Sequence, residues 1–132
     1  MAIRYDDTHA ALDLAQLAAL FCSVGWAYRT ADPERFRQMV LGTPWIVSAW
    51  DDARLVGFCR AITDGAFNAY VTTVAVLPDY QRRGIGRELM RRLLADRDHM
   101  LFVLHAEPGN HDFYKSLGFA DADNMLRRPR SH

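Results

Sequence analysis

Lysine is almost missing from this chain of 132 residues: Lys115 stands alone among sixteen basic side chains, the rest being arginine. Cysteine is nearly as scarce, with only Cys22 and Cys59. Two cysteines make no disulfide framework, and no signal-peptide pattern opens the residues given, so free thiols, small and buried, in a cytoplasmic protein are expected. No apolar run reaches the length of a membrane span, which argues against a membrane protein. Net charge is also absent: sixteen basic residues balance sixteen acidic ones. That balance argues against a nucleic-acid binder. There is no repeat and no low-complexity segment. Half of the residues are hydrophobic, so one domain spanning 1–132 can build its core without staples.

What the chain does have is an uneven charge. Residues 1–52 hold four arginines and seven acids, whereas 80–100 hold six arginines and three acids. The basic part contains a distinctive stretch, Val71–Leu94, VTTVAVLPDYQRRGIGRELMRRLL. Val71, Val74, Val76 and Leu77 predict a strand buried on both faces, ended by Pro78. Apolar residues at 85, 89, 90, 93 and 94 predict a helix, with Arg87, Glu88, Arg91 and Arg92 on its other face. The turn between them, Gln81-Arg82-Arg83-Gly84-Ile85-Gly86, joins glycines to arginines at a helix start. Unpaired N–H groups and the helix dipole bind anions there. A dinucleotide fingerprint would need a small residue where Leu89 stands, and a P-loop would need Gly-Lys-Ser/Thr.

The pattern Gln/Arg-x-x-Gly-x-Gly/Ala after a V-x-V-x-P strand resembles the GNAT acetyltransferase superfamily. A second landmark of that family follows at the expected distance, Phe113-Tyr114-Lys115-Ser116-Leu117-Gly118-Phe119. The resemblance implies an α/β fold, a mixed central sheet flanked by helices. In it, strands 69–77 and 101–105 run parallel and splay to admit acetyl-CoA. It implies coenzyme contacts from Val74, Ala75, Val76, Gln81, Arg82, Arg83, Gly84, Ile85, Gly86, Arg87, Asn110 and Tyr114. The backbone of Val74 and Val76 would pair with the pantetheine arm, and a bulge would turn the Val74 N–H toward the thioester carbonyl. Segments 45–76 and 113–119 look most like the small aralkylamine branch, which favours a small primary amine as acceptor, with a polyamine or an amino-acid derivative next. A protein lysine or N-terminus, and a non-catalytic acyl-CoA sensor, remain as alternatives. A homodimer through the last strand is implied by the same resemblance.

Acetyl transfer to an amine needs a neutral amine, a polarised carbonyl and a proton for the leaving thiolate. An alkylammonium has a pKa of about 10, so a base helps. Tyr114 is the expected acid. Strand 69–77 has no carboxylate, so Glu107 is the expected base, or else a ligand of the pantetheine. Trp26 and Tyr28, between the first two helices, and Phe67, Tyr70 and Thr72, at the central strand, are the expected acceptor contacts. His105, Glu107, His111 and Asp112 lack a dense ligand motif, and no metal is expected.

Local signals place the remaining elements. Strands are predicted over 2–5, 45–50, 54–62, 101–105 and 125–127, and helices over 10–21, 33–40, 84–97 and 111–117. Asp32 with Pro33 marks the start of the second helix.

Overall fold

The computed structural model describes residues 2–131. Five strands form one sheet in sequence order: β1 (Ile3–Asp6), β2 (Trp45–Asp51), β3 (Arg54–Thr63), β4 (Asn68–Val76) and β5 (Leu101–Leu104). The first four are antiparallel neighbours. β4 and β5 are parallel, so a crossover must join them. That crossover is α3 (Ile85–Leu94), and it covers one face of the sheet. Helices α1 (Leu14–Ser23) and α2 (Pro33–Leu41) cover the other, and α4 (His111–Lys115) follows β5. This is the mixed α/β architecture expected.

Two apolar cores result, one on each face. Under α3 lie Val56, Cys59, Ala61, Val71, Ile85, Leu89, Met90 and Leu93. Under α1 and α2 lie Leu17, Leu20, Phe21, Phe36, Val40, Leu55, Phe58 and Ala75. α3 buries the predicted stripe, and each fully buried Leu or Ile is worth about 1.5–3 kcal/mol. Gly57 lets the helix sit close: a Cβ there would lie 3.1 Å from Ile85 and from Leu89.

β4 is not one uninterrupted strand. Arg60 pairs with Thr73 and Ala61 with Val71, so Thr72 is an extra residue, a β-bulge. The bulge reverses the alternation. Before it, Ala69 and Val71 face α3; after it, Val74 and Val76 do, and Ala75 joins the opposite core. Contrary to expectation, the strand is not buried on both faces throughout: before the bulge Asn68 and Tyr70 are exposed, and after it Thr73 and Ala75 are buried while Val74 and Val76 are only half-buried.

Several boundaries differ from expectation. The first helix begins at Leu14 rather than residue 10, because the Asp13 carboxylate accepts from the N–H groups of Ala15 and Gln16. α3 stops at Leu94 rather than 97. Ala95 is extended, Asp96 is left-handed, and Arg97 folds back to donate to the Leu93 carbonyl at 2.6 Å. α4 ends at Lys115, and the Gly118 N–H closes it onto Lys115 with a φ of 98°. No strand forms over 125–127, where Leu126 is 99% exposed and has no apolar face to cover. Cys22 is exposed rather than buried, and Cys59 is buried as expected. Among the described residues no helix is long and apolar enough to cross a membrane.

Candidate active site

β4 and β5 pair only from Asn68 with Leu101 to Val71 with Leu104. Beyond that point the edge of β4 on the β5 side lies open from Thr72 to Val76. The direction of its polar groups follows from one bond. The Leu77 N–H donates to Val56 on β3 at 2.9 Å. Backbone groups alternate along a strand, so those of Val76 and Val74 point away from β3, into the gap. Each buried N–H and C=O needs a partner, and an extended amide arm lying in the gap meets that need. One acceptor is already taken: the Gln81 amide donates to the Val76 carbonyl at 3.0 Å. Gln81 thus closes the end of the edge from within the chain.

The open edge of β4 ends beside the start of α3, where a Cβ on Gly86 would lie 3.8 Å from Val76, although residues 81–87 do not themselves line the cleft between the splayed strands. Arg82 and Gly84 are left-handed, with φ of 63° and 82°, and they curl the loop over the helix end. Gly84 is the N-cap, so no side chain caps this helix. The first intrahelical bond of the turn is donated by Glu88 to Gly84. The N–H groups of Ile85, Gly86 and Arg87 are therefore left for an anion. A Cβ on Gly84 would meet nothing within 4 Å, so the glycine serves conformation. A Cβ on Gly86 would make ordinary contacts with Phe113 and Val76. Arg83 stacks on the Tyr80 ring at 5.2 Å. Arg87 ties the helix to α4 through Ser116 Oγ at 2.7 Å.

The splayed strands open into a cleft of about 1480 Å³. Trp26, Tyr28, Tyr70, Thr72, Val74, Glu107, Asn110 and Tyr114 all line it. Tyr114 lies between Phe113 and Phe119, its ring centre 5.0 and 5.9 Å from theirs. Burial pushes its phenol above the ordinary tyrosine range, with the nearby Cys59 adding to the shift. It therefore keeps its proton. Glu107 is exposed and precedes a 3-10 turn, where its carbonyl accepts from the Asn110 N–H at 2.8 Å.

Phe67 is not brought to the cleft. It is 74% exposed at the β3–β4 turn, where its carbonyl accepts from Leu101 at the closed end of the gap. Ala75 faces the α1–α2 core instead of the gap, because the bulge has changed the phase of the strand. Among the described residues no three His, Cys, Asp or Glu side chains gather into a metal cluster. His111 contacts the Ala106 carbonyl at 3.0 Å.

The structure adds residues absent from the expectation. Arg29 and Thr73 line the cleft, and Arg60 stands behind Thr73. His105 also lines it, with its ring 6.4 Å from Tyr70. Arg60 left a trace in the sequence, as the one charge inside LVGFCRAI. Arg29 left none, because a short connector has no periodicity.

Residues 11–119 match the Acetyltransferase (GNAT) family. The chain belongs to that family. Acetyl-CoA is the acyl donor of GNAT acetyltransferases, and the open edge with its uncapped helix start fits such a donor. The chain is 37% identical over 123 residues to a protein from Oryza sativa subsp. japonica called serotonin N-acetyltransferase 2, chloroplastic, across 88% of this chain and 60% of that one. It is 37% identical to the Arabidopsis thaliana GCN5-related N-acetyltransferase 1, chloroplastic, across 89% and 62%. The chain thus spans about 60% of the length of these relatives. Among solved structures, a GNAT family acetyltransferase from Streptococcus pneumoniae superposes with a TM-score of 0.81 at 29% identity, covering 98% of this chain and all of that one.

Proposed function

We propose that this GNAT chain transfers the acetyl group of acetyl-CoA to a small primary amine, an aralkylamine in type, by direct attack within a ternary complex. One observation carries the reading: the open edge of β4 starts at a bulge, runs to an uncapped helix start, and shares its cleft with Tyr114 and an aromatic wall. The rice relative's name supports the acceptor class.

In this reading the N–H groups of Ile85 and Gly86, with Arg82 and Arg83, hold the coenzyme's phosphates. The backbone of Val74 and the Val76 N–H hold its arm. The Val74 N–H polarises the thioester carbonyl as a preorganised donor. Glu107 takes a proton from the ammonium, directly or through water. The amine then attacks the carbonyl, the carbon–sulfur bond breaks, Tyr114 gives the thiolate its proton, and the second proton of the acylated nitrogen passes through water to restore the phenol. Rate comes mainly from holding both reactants together. The reading includes a homodimer and a cytoplasmic location, tested by light scattering and by fractionation.

A second acceptor class has an observation in its favour. Tyr28 is 65% and Tyr70 38% exposed, so the aromatic wall is open. An open wall suits a protein lysine. The test is a thiol-release assay with acetyl-CoA against arylamines, polyamines, amino acids and lysine peptides, paired with calorimetric titration of acetyl-CoA. Turnover of small amines supports the proposal. Turnover of lysine peptides alone replaces it with the second class. Coenzyme binding with no turnover makes the chain a sensor, and no coenzyme binding overturns the donor site.

A further inference from the structure

Two arginines meet at the acceptor side of the cleft without a carboxylate. Arg60, in the middle of β3, is 6% exposed. Its Nε donates to Thr73 Oγ1 at 3.0 Å and its Nη1 to Thr43 Oγ1 at 2.9 Å. The Thr43 hydroxyl in turn donates to the Met39 carbonyl. Arg29 approaches the same Thr73 oxygen from the α1–α2 connector, with Nη1 at 3.5 Å. Its guanidinium lies over Trp26 and Tyr28, 5.1 and 5.6 Å from their ring centres. Its Nε donates to the Tyr28 hydroxyl at 3.1 Å.

The partners of this pair are hydroxyls and rings, all neutral. Arg37, Arg91 and Arg92 each pair with a glutamate, but among the described residues neither Arg29 nor Arg60 has an acid within ion-pair range. Burial pushes the Arg60 guanidinium down to about 10, and the like charge of Arg29 adds to the shift. A buried cation without a counter-charge is costly, and an anion bound beside it would offset that cost. Both Thr73 lone pairs face guanidiniums, so its own hydroxyl proton remains a donor. Arg29 and Thr73 line the cleft, while Arg60 stands behind them.

We infer that the acceptor amine carries a carboxylate close to its nitrogen, as an amino acid does, and that Arg29 binds this carboxylate with Arg60 and Thr73 behind it. The inference rests on the small-amine reading and narrows it. Its geometry comes from β4. Thr73 directly precedes Val74, and one residue along a strand is about 3.3 Å. The Thr73 hydroxyl turns toward α1 and α2 and Arg29 Nη1 lies 3.5 Å from it, so an anion at Arg29 lies within about 10 Å of the Val74 N–H. An amine with its acid nearby spans that distance while its nitrogen meets the thioester. Tyr70 and Trp26 are left to face the remainder of the acceptor.

The test compares matched pairs: tryptophan with tryptamine, tyrosine with tyramine, phenylalanine with phenethylamine. Each kcat/KM is counted on the unprotonated amine, because the acids and amines differ in pKa. The wild-type protein should prefer the acid by about tenfold or more, the scale of one charge-assisted contact. In Arg29→Gln the preference should collapse toward one. Arg29→Lys, which keeps the charge and loses the fork, should keep part of it. The wild-type ratio needs no variant, so misfolding of Arg29→Gln leaves the test intact. Turnover of the amines with no preference for the acids, or a preference unchanged in Arg29→Gln, overturns the inference and leaves the small-amine reading standing. Turnover of lysine peptides alone overturns both.

Discussion

Gly57→Ala should loosen the coenzyme end of the site from β3, directly beneath α3. The added methyl would lie 3.1 Å from Ile85 Cγ2, 3.1 Å from Leu89 Cδ1 and 3.3 Å from Ala49 Cβ. Carbon atoms pack best at about 3.5–4.0 Å, so three neighbours must yield by several tenths of an ångström. Overpacking of this kind costs about 1–3 kcal/mol. Replacing glycine also removes freedom from the unfolded chain, which returns about 0.4–1 kcal/mol. The net loss is about 0.5–2 kcal/mol, a fall in Tm of several degrees for a domain of this size. Ile85 is the first residue of α3 and bears one of its open N–H groups. A displaced Ile85 shifts the anion site, so acetyl-CoA affinity should fall by more than stability alone predicts. Differential scanning calorimetry and titration of acetyl-CoA measure the two effects. An unchanged or raised Tm, with unchanged affinity, would refute close packing of α3 as the device that sets the donor site.

Tyr114→Phe should lower kcat by about a hundredfold or more while affinity for acetyl-CoA falls far less; equal turnover removes Tyr114 from the chemistry. Glu107→Gln should abolish the lower limb of the pH–rate profile, and an intact limb would make Glu107 a ligand of the pantetheine only. Gly84→Val forces a branched side chain into a φ of 82°, at a cost of about 1–2 kcal/mol. It should weaken acetyl-CoA binding at least tenfold, and unchanged binding would move the phosphates elsewhere. The Glu88 carboxyl is held down to about 2, first by its hydrogen bond from Arg91 and further by Arg92. A depressed carboxylate stabilises the fold above its ordinary pKa of 4.5, and that stability is lost as pH falls from there through about 2. Arg91 and Arg92 are 62% and 45% exposed, so solvent screening reduces the effect to about 1 kcal/mol. Glu88→Gln should flatten acid unfolding in that window, as urea melts at stepped pH would show.

The sequence displayed those parts of the fold that depend on neighbours along the chain. Asp32 before Pro33 marked α2, because a carboxylate cap and a fixed φ act within one turn. The stripe from Ile85 to Leu93 marked α3, and its sharp polar face left little ambiguity. What stayed hidden depends on neighbours across the sheet. Met125–Arg127 reads as a strand in isolation, but nothing receives its apolar residues. Phe67 is one residue from β4, yet the turn projects it into solvent. Trp26, Tyr28, Tyr70, Thr72, Glu107 and Tyr114 do share one cleft. Arg29 joins them from a connector without a pattern. Arg60 was visible as a charge in an apolar strand, but its partners, Thr43 and Thr73, belong to other elements.

The bulge at Thr72 connects these observations. Were Thr72 paired in regular register instead of bulging, the alternation of β4 would continue unbroken from Ala69 and Val71. Thr73 and Ala75 would then face α3, while Val74 and Val76 would face α1 and α2. A hydroxyl would be buried among Leu89 and Leu93 with no guanidinium to meet it, and Arg60 would lose its Thr73 contact. A one-residue slip moves every later side chain to the other face, so one insertion fixes both sides of the site together. Toward α3 it supplies the valine surface along the donor's edge. Toward α1 and α2 it sets the hydroxyl that Arg29 and Arg60 share. In the proposed site the donor edge at Val74 and the Thr73 hydroxyl behind the anchoring Arg29 belong to consecutive residues of one strand, so the sheet fixes their separation.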